Sequence, residues 1–175
     1  MQYTTAVISG REGIFPLNLD LKAKNGLSRI AMQMAVIKRS ITAGLHFSTV
    51  VLDSWYFSSR LVRFLEREEK DWITEAKSNR KIFVDGEWMR LKDYAASLSL
   101  RNMAAYSIDD STYFMTSITA EMKNVGKVQV IISIGRNSEK FFVASRIDWK
   151  PKKVIELYLR RWDIEVFHRE LMQDS

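Results

Sequence analysis

The sequence predicts an α/β protein built on a mixed β-sheet, and three observations support this prediction. A short β-branched run at residues 48–52 is typical of a strand buried on both faces. Two stretches with helical period, residues 27–43 and 58–70, lie on either side of it. Three period-2 runs follow between residues 113 and 147, which is typical of an antiparallel meander.

The first elements are a hairpin and a helix. Residues 3–9 are β-rich and end at a glycine, and residues 14–21 alternate leucine with polar residues, so the two runs are predicted to pair. The helix at 27–43 is bounded by Asn25-Gly26 and by Gly44. Its predicted apolar stripe consists of Ile30, Met34, Ile37 and Ile41.

The second half begins with a further short buried strand at residues 72–76. A hairpin is then predicted around Asp85-Gly86, because this dipeptide supplies the positive φ angles of a type I′ turn. Residues 92–110 give no clear pattern. The meander runs are residues 113–121, 128–134 and 141–147. The closing helix is predicted to start near Pro151, where a missing N–H costs nothing, and to reach about residue 172.

Composition limits the function. The 175 residues are 46% hydrophobic, and the net charge of +6 favours polyanionic partners. The absence of cysteine excludes disulfides, thiolate zinc sites and a cysteine nucleophile, and it suits a reducing compartment. The sequence shows no signal peptide, and no apolar run approaches the roughly 18 residues of a membrane span. A soluble, cytoplasmic protein without a membrane partner is expected.

The closing helix carries polar residues on an otherwise apolar segment. At about 100° per residue, Tyr158, Arg161 and Glu165 fall within an arc of about 60° on one face. A helix that is apolar on most sides is normally buried, so an embedded arginine and carboxylate suggest a site. The alternative is an ordinary Arg–Glu pair one turn apart on a wet surface.

A second carboxylate follows the strand at 48–52. Side chains beyond the carboxyl ends of strands in α/β sheets commonly form binding sites, and Asp53 has that position. The alternative role is to cap the helical turn that follows. If the last helix packs against this strand end, Asp53 and Glu165 can form a carboxylate pair for a divalent metal ion.

These residues carry a resemblance to a known family. The run Val50-Val51-Leu52-Asp53-Ser54-Trp55-Tyr56 resembles the second-aspartate motif of DDE-type insertion-sequence transposases. The spacing Tyr158-x2-Arg161-x3-Glu165 resembles the Y-R-E-K signature of one class of them, and residues 72–81 are similar to the segment between the motifs. The resemblance covers essentially the whole chain.

The resemblance implies a ribonuclease-H-like fold with an antiparallel β-rich insertion before the last helix. It also implies a nuclease and strand transferase that uses a pair of Mg²⁺ or Mn²⁺ ions. In that family, hydrolysis cuts the DNA at the end of the transposable element, and the freed 3′-OH then attacks target DNA. Asp53 and Glu165 would be the catalytic metal ligands. Tyr158 and Arg161 would hold phosphates near the cut end.

Two departures from the family pattern are visible. Met172 stands where the signature has lysine, and the family's first aspartate, on the central first strand, has no counterpart, because Asp20 lacks its motif. The sequence thus resembles the C-terminal part of the catalytic domain, with the first strand missing. We expect an incomplete core at residues 1–77, the β-rich insertion at 78–147 and a closing core helix at 148–175.

Two roles are possible for several other residues. Lys77, Arg80 and Lys81 either line a DNA channel or form a solvated turn. The aromatic residues Trp55, Tyr56 and Trp162 are expected in the core, although an exposed tryptophan near a cut end could stack on an unpaired base.

Three functions therefore remain open at this stage. The chain is a transposase fragment that is inactive alone, a truncated protein that binds DNA or a full-length transposase and interferes with transposition, or a basic structural domain. The catalytic fragment is the favoured interpretation, and homo-oligomers are compatible with it.

Overall fold

A computed structural model describes residues 3–10, 13–21, 28–108, 111–135 and 139–161. The chain divides into two compact units. We call residues 1–48 with 159–175 the hairpin unit, and residues 49–158 the sheet unit.

The hairpin unit contains the predicted antiparallel pair and the first helix. Strands β1 (Tyr3–Gly10) and β2 (Gly13–Leu21) pair along their whole length, with one register shift between Ala6 and Val7. Helix α1 (Arg29–Thr42) is capped by Ser28, whose side chain accepts a hydrogen bond from the Ala31 N–H. Both elements confirm the sequence prediction.

The buried face of α1 differs from the predicted stripe. Of the predicted positions only Ile37 is buried, whereas Gln33, Val36 and Ser40 are buried instead. Ser40 Oγ donates a hydrogen bond to the Val36 carbonyl at 3.0 Å. Because this bond satisfies the hydroxyl within the helix, the serine can be buried at little cost, which apolar periodicity alone does not anticipate.

The described residues of the sheet unit form eight strands and three α-helices, the last of which extends one residue beyond the unit. The helices are α2 (Ser59–Arg67), α3 (Leu91–Ser97) and α4 (Pro151–Leu159). The strands are β3 (Thr49–Leu52), β4 (Asp71–Ala76), β5 (Lys81–Val84), β6 (Glu87–Arg90), β7 (Ala104–Ile108), β8 (Ser111–Met122), β9 (Gly126–Ile134) and β10 (Glu139–Ala144).

These strands form one mixed sheet in the order β3-β4-β10-β9-β8-β5-β6, with β7 also paired to β8. Only the β3–β4 pair is parallel among the described strands, and the other pairs are antiparallel. The prediction of an α/β protein with a mixed sheet is confirmed, and the sheet is compatible with a ribonuclease-H-like fold. The meander β8-β9-β10 joins the short parallel pair directly, since β10 pairs with β4.

The turn between β5 and β6 forms as predicted. Asp85 has φ of 51° and Gly86 has φ of 90°, so both central residues adopt the left-handed conformation of a type I′ turn. The unclear stretch after β6 contains α3, a short 3₁₀ helix (Leu100–Asn102) and β7.

Two strand predictions need correction. The third meander run was expected to reach residue 147, but β10 ends at Ala144, and Ile147 is 45% exposed. In the turn that follows, Arg146 pairs with Asp148 at 2.7 Å. β3 was expected to be buried on both faces, but only Leu52 is fully buried. Among the described strands, β3 stands at one end of the order, where a strand has fewer neighbours.

The core of the sheet unit lies around β4, β9 and β10. Trp72, Ile73, Val130, Ile132 and Val143 have no exposed surface. The buried Gln129 side chain is satisfied on one side only: its Nε2 donates to the Trp149 carbonyl at 2.6 Å, whereas its Oε1 has no hydrogen-bond partner. No helix in the described part of the chain is long and apolar enough to cross a membrane.

Candidate functional site

The candidate site lies at the carboxyl ends of β3 and β4, where Asp53 follows the last residue of β3. Asp53 is half-buried, and its Oδ1 accepts a hydrogen bond from the Trp55 N–H at 3.0 Å and one from Ser54 Oγ at 3.4 Å. These bonds cap a short 3₁₀ helix (Ser54–Tyr56). The capping role considered from the sequence is therefore present, and it fixes the carboxylate at the edge of the sheet.

The parallel register brings a second carboxylate to the same edge. Leu52 of β3 pairs with Thr74 of β4, and the residues that follow these two along the chain are Asp53 and Glu75. Glu75 is half-buried. Sequence reasoning missed Glu75, because its position beside Asp53 depends on the register of two strands joined through a helix.

Tyr158 of α4 connects the closing helix to this edge. Its side chain is buried, its hydroxyl donates to Glu75 Oε2 at 3.3 Å, and its ring meets Phe142 edge-on at 5.0 Å. Lys140 Nζ lies 3.8 Å from the same Glu75 oxygen. The first residue of the Tyr-Arg-Glu spacing is thus hydrogen-bonded to β4, the strand that pairs with β3.

This contact gives a stability prediction. Tyr158→Phe is expected to lower the free energy of unfolding by about 1–2 kcal/mol, because a hydrogen bond to a charged acceptor is lost while the ring stays packed. Urea denaturation would measure the change. Tyr113→Phe, at a half-buried position on β8, is the control and should change stability by less than about 0.5 kcal/mol.

A double-mutant cycle checks that the effect comes from Glu75. In a Glu75→Ala background, Tyr158→Phe should cost clearly less than in the unaltered chain. An equal cost in both backgrounds would contradict the assignment of this hydrogen bond.

The three predicted basic residues have different environments. Lys77 and Lys81 are exposed, whereas Arg80 is half-buried. Arg80 Nη2 donates to the Phe57 carbonyl at 2.6 Å, and its guanidinium lies 4.4 Å from the Phe57 ring centre. Burial lowers the pKa of Arg80. The arginine therefore connects the turn after β4 to the segment after β3, while the two lysines face solvent.

Trp55 corrects a sequence expectation. It was expected in the core, but its side chain is 72% exposed. The cap formed by Asp53 starts a tight 3₁₀ turn directly after β3, and this turn carries the indole outward. Lys77 Nζ lies 4.9 Å from the centre of the Trp55 ring.

Two predicted site residues lie at or beyond the end of the described chain. Arg161 is half-buried and is the last residue described. Glu165 lies outside the described residues, as do Trp162 and Met172, so its separation from Asp53 stays a prediction. Within the described ranges, no group of three or more histidine or acidic side chains is arranged to hold a metal ion.

Comparison with known proteins identifies the family. No curated protein matches the chain. A family model for the archaeal transposase ISC1217 matches residues 21–174, which is nearly the whole chain. The resemblance to DDE-type insertion-sequence transposases, first suggested by the motifs around Asp53 and Glu165, is confirmed. The chain belongs to the archaeal ISC1217 transposase family.

Proposed function

We propose that the chain is part of a ribonuclease-H-like catalytic domain that, in an intact transposase, cuts DNA and transfers the cut strand. Asp53 and Glu165 are proposed as the catalytic carboxylates and as ligands of Mg²⁺ or Mn²⁺. The bound ions would stabilise charge on the attacking and leaving oxygens of the phosphoryl displacement. The partner is DNA, both at the transposon end and at the target, and the compartment is the cytoplasm.

The observation that supports this proposal most strongly is the Tyr158–Glu75 hydrogen bond. It holds α4 against the strand that lies beside Asp53. Glu165 follows Tyr158 by seven positions along the chain.

The chemistry of the strand ends suits a hard divalent cation. Mg²⁺ binds through one or two carboxylates together with phosphate oxygens of the substrate. Asp53 offers such a carboxylate at the sheet edge, and its half-buried position keeps contact with solvent. Its cap bonds hold the side chain in one orientation, which favours ordered ligand geometry.

The basic residues are proposed to contact the DNA backbone. Lys77 is exposed on the turn that follows β4, Lys81 is exposed at the start of β5, and Arg80 holds this turn against Phe57. Tyr158 and Arg161 are proposed to support phosphates near the cut end. Because Tyr158 is buried and bound to Glu75, we propose that it acts mainly by fixing the end of α4, two residues before Arg161.

We further propose that this chain is inactive alone. The sequence supplies two carboxylates of the family's set, and no motif for the first aspartate is found in it. A cleavage assay on transposon-end DNA with Mn²⁺ should therefore show no product. Mn²⁺-dependent cleavage that disappears in Asp53→Ala would overturn this proposal.

A second function is favoured by the exposed lysines and the net charge of +6: a truncated protein that binds DNA or a full-length transposase. Co-expression with an intact relative should then lower transposition. Unchanged transposition would exclude interference.

A further inference from the structure

We propose that Trp55 and Lys77 form a stacking site for an unpaired nucleobase of single-stranded DNA. The proposal rests on the proposed function and extends it by naming a base-binding site. It starts from the exposure of Trp55, which at 72% exceeds that of every other large apolar side chain described. Exposing an indole to this extent forgoes most of the hydrophobic stabilisation that burying it would give.

The position of the indole favours a role in DNA binding over a general apolar surface. Trp55 lies two residues after Asp53, and its backbone N–H donates to Asp53 Oδ1. The ring is therefore attached directly to the segment that holds the proposed metal ligand. A base that stacked on this ring would lie close to the phosphate on which the proposed chemistry takes place.

Lys77 supplies the second part of the site. Its ammonium lies 4.9 Å from the ring centre, within the distance of a cation–π contact. This contact comes from the turn after the neighbouring strand, so it limits the motion of an otherwise solvated side chain. The same ammonium can reach a backbone phosphate of a strand whose base contacts the indole. An aromatic ring next to a cation is the usual combination in proteins that bind single strands.

A second basic residue, Arg80, fixes the segment that carries Trp55. Arg80 donates to the Phe57 carbonyl, and Phe57 follows the 3₁₀ helix that carries Trp55. Phe57 in turn packs against Trp72 at 5.7 Å between ring centres. The exposed turn is thus fixed to the core through Phe57, while the Trp55 indole remains exposed to solvent.

The test measures binding of a fluorescein-labelled oligothymidylate of about 12 nucleotides by fluorescence anisotropy. Trp55→Ala should weaken binding by about 5- to 150-fold, the range for loss of one stacked base. Trp55→Phe should recover part of the affinity. Both substitutions leave the backbone N–H of residue 55 in place, so its hydrogen bond to Asp53 is kept.

Two controls isolate the stacking contribution. Trp88→Ala removes another exposed tryptophan, 45% accessible and located on the β5–β6 hairpin, and it should leave binding unchanged. An abasic strand of the same length keeps the phosphates but has no bases, so the unaltered chain and Trp55→Ala should bind it equally.

The outcomes separate this site from the proposed function. If the unaltered chain binds oligothymidylate but Trp55→Ala binds as tightly, or loses as much affinity for the abasic strand, the stacking site is overturned and the DNA-binding function stands. Equal losses in Trp55→Ala and Trp88→Ala would also overturn it. Absence of oligothymidylate binding by the unaltered chain would overturn the stacking site.

Discussion

Asp53→Asn is expected to weaken Mn²⁺ binding by at least about tenfold while the protein stays folded. Loss of a direct ligand should cost at least as much as loss of an outer-shell partner, which typically reduces metal affinity by about 10- to 100-fold. Asparagine caps helical turns about as well as aspartate, so the bond from the Trp55 N–H is expected to remain. The substitution therefore separates the metal-binding role of Asp53 from its capping role.

Electron paramagnetic resonance of free Mn²⁺ would measure the affinity, and urea denaturation would measure stability in parallel. Asp53→Ala should lose the cap as well and lower the free energy of unfolding by about 1 kcal/mol. Asp93→Asn is the matched control, because Asp93 is an exposed carboxylate that pairs with Arg90 at 2.6 Å. Unchanged Mn²⁺ affinity in Asp53→Asn, or an equal loss in Asp93→Asn, would contradict the assignment of Asp53 as a ligand.

Trp72→Ala is expected to have the largest effect on stability, about 3–5 kcal/mol. Trp72 lies in β4 with no exposed surface, and it packs against Phe57. Its loss leaves a large cavity between the strand that pairs with β3 and the segment that carries Trp55. Because small domains are marginally stable, a change of this size should unfold a large part of the population at moderate temperature.

Trp88→Ala is the control for this substitution too. The residue is 45% exposed, and its main aromatic contact is Phe83 at 5.4 Å, so the expected loss is about 1 kcal/mol. Thermal and urea unfolding of both variants would provide the comparison. Similar losses for Trp72→Ala and Trp88→Ala would contradict the placement of the core around β4.

The features that were predictable from the sequence are those whose cause is local. Asp85-Gly86 specifies its turn through two residues, and Pro151 marks the start of α4. Asp53 was singled out because it follows a β-branched run directly. In each case the physical constraint acts within a few positions along the chain.

The features that were not predictable depend on contacts between distant segments. Glu75 and Tyr158 are more than 80 positions apart, and nothing near either residue specifies the other. The exposure of Trp55 was missed because hydrophobicity favours burial, whereas the cap formed by Asp53 turns the chain outward. The register that brings Asp53 beside Glu75 is likewise fixed by strand pairing rather than by local sequence.

The pairing of β4 with β10 has a consequence for biosynthesis. Ile73 pairs with Ala144, so β4 leaves the ribosome about 70 residues before the strand that covers its second edge. At about 5–20 residues per second, the delay amounts to roughly 4–14 s. During this interval the apolar β4 segment is a potential site of misassociation, and a nascent chain of this family would benefit from chaperone protection until the last strand of the meander has emerged.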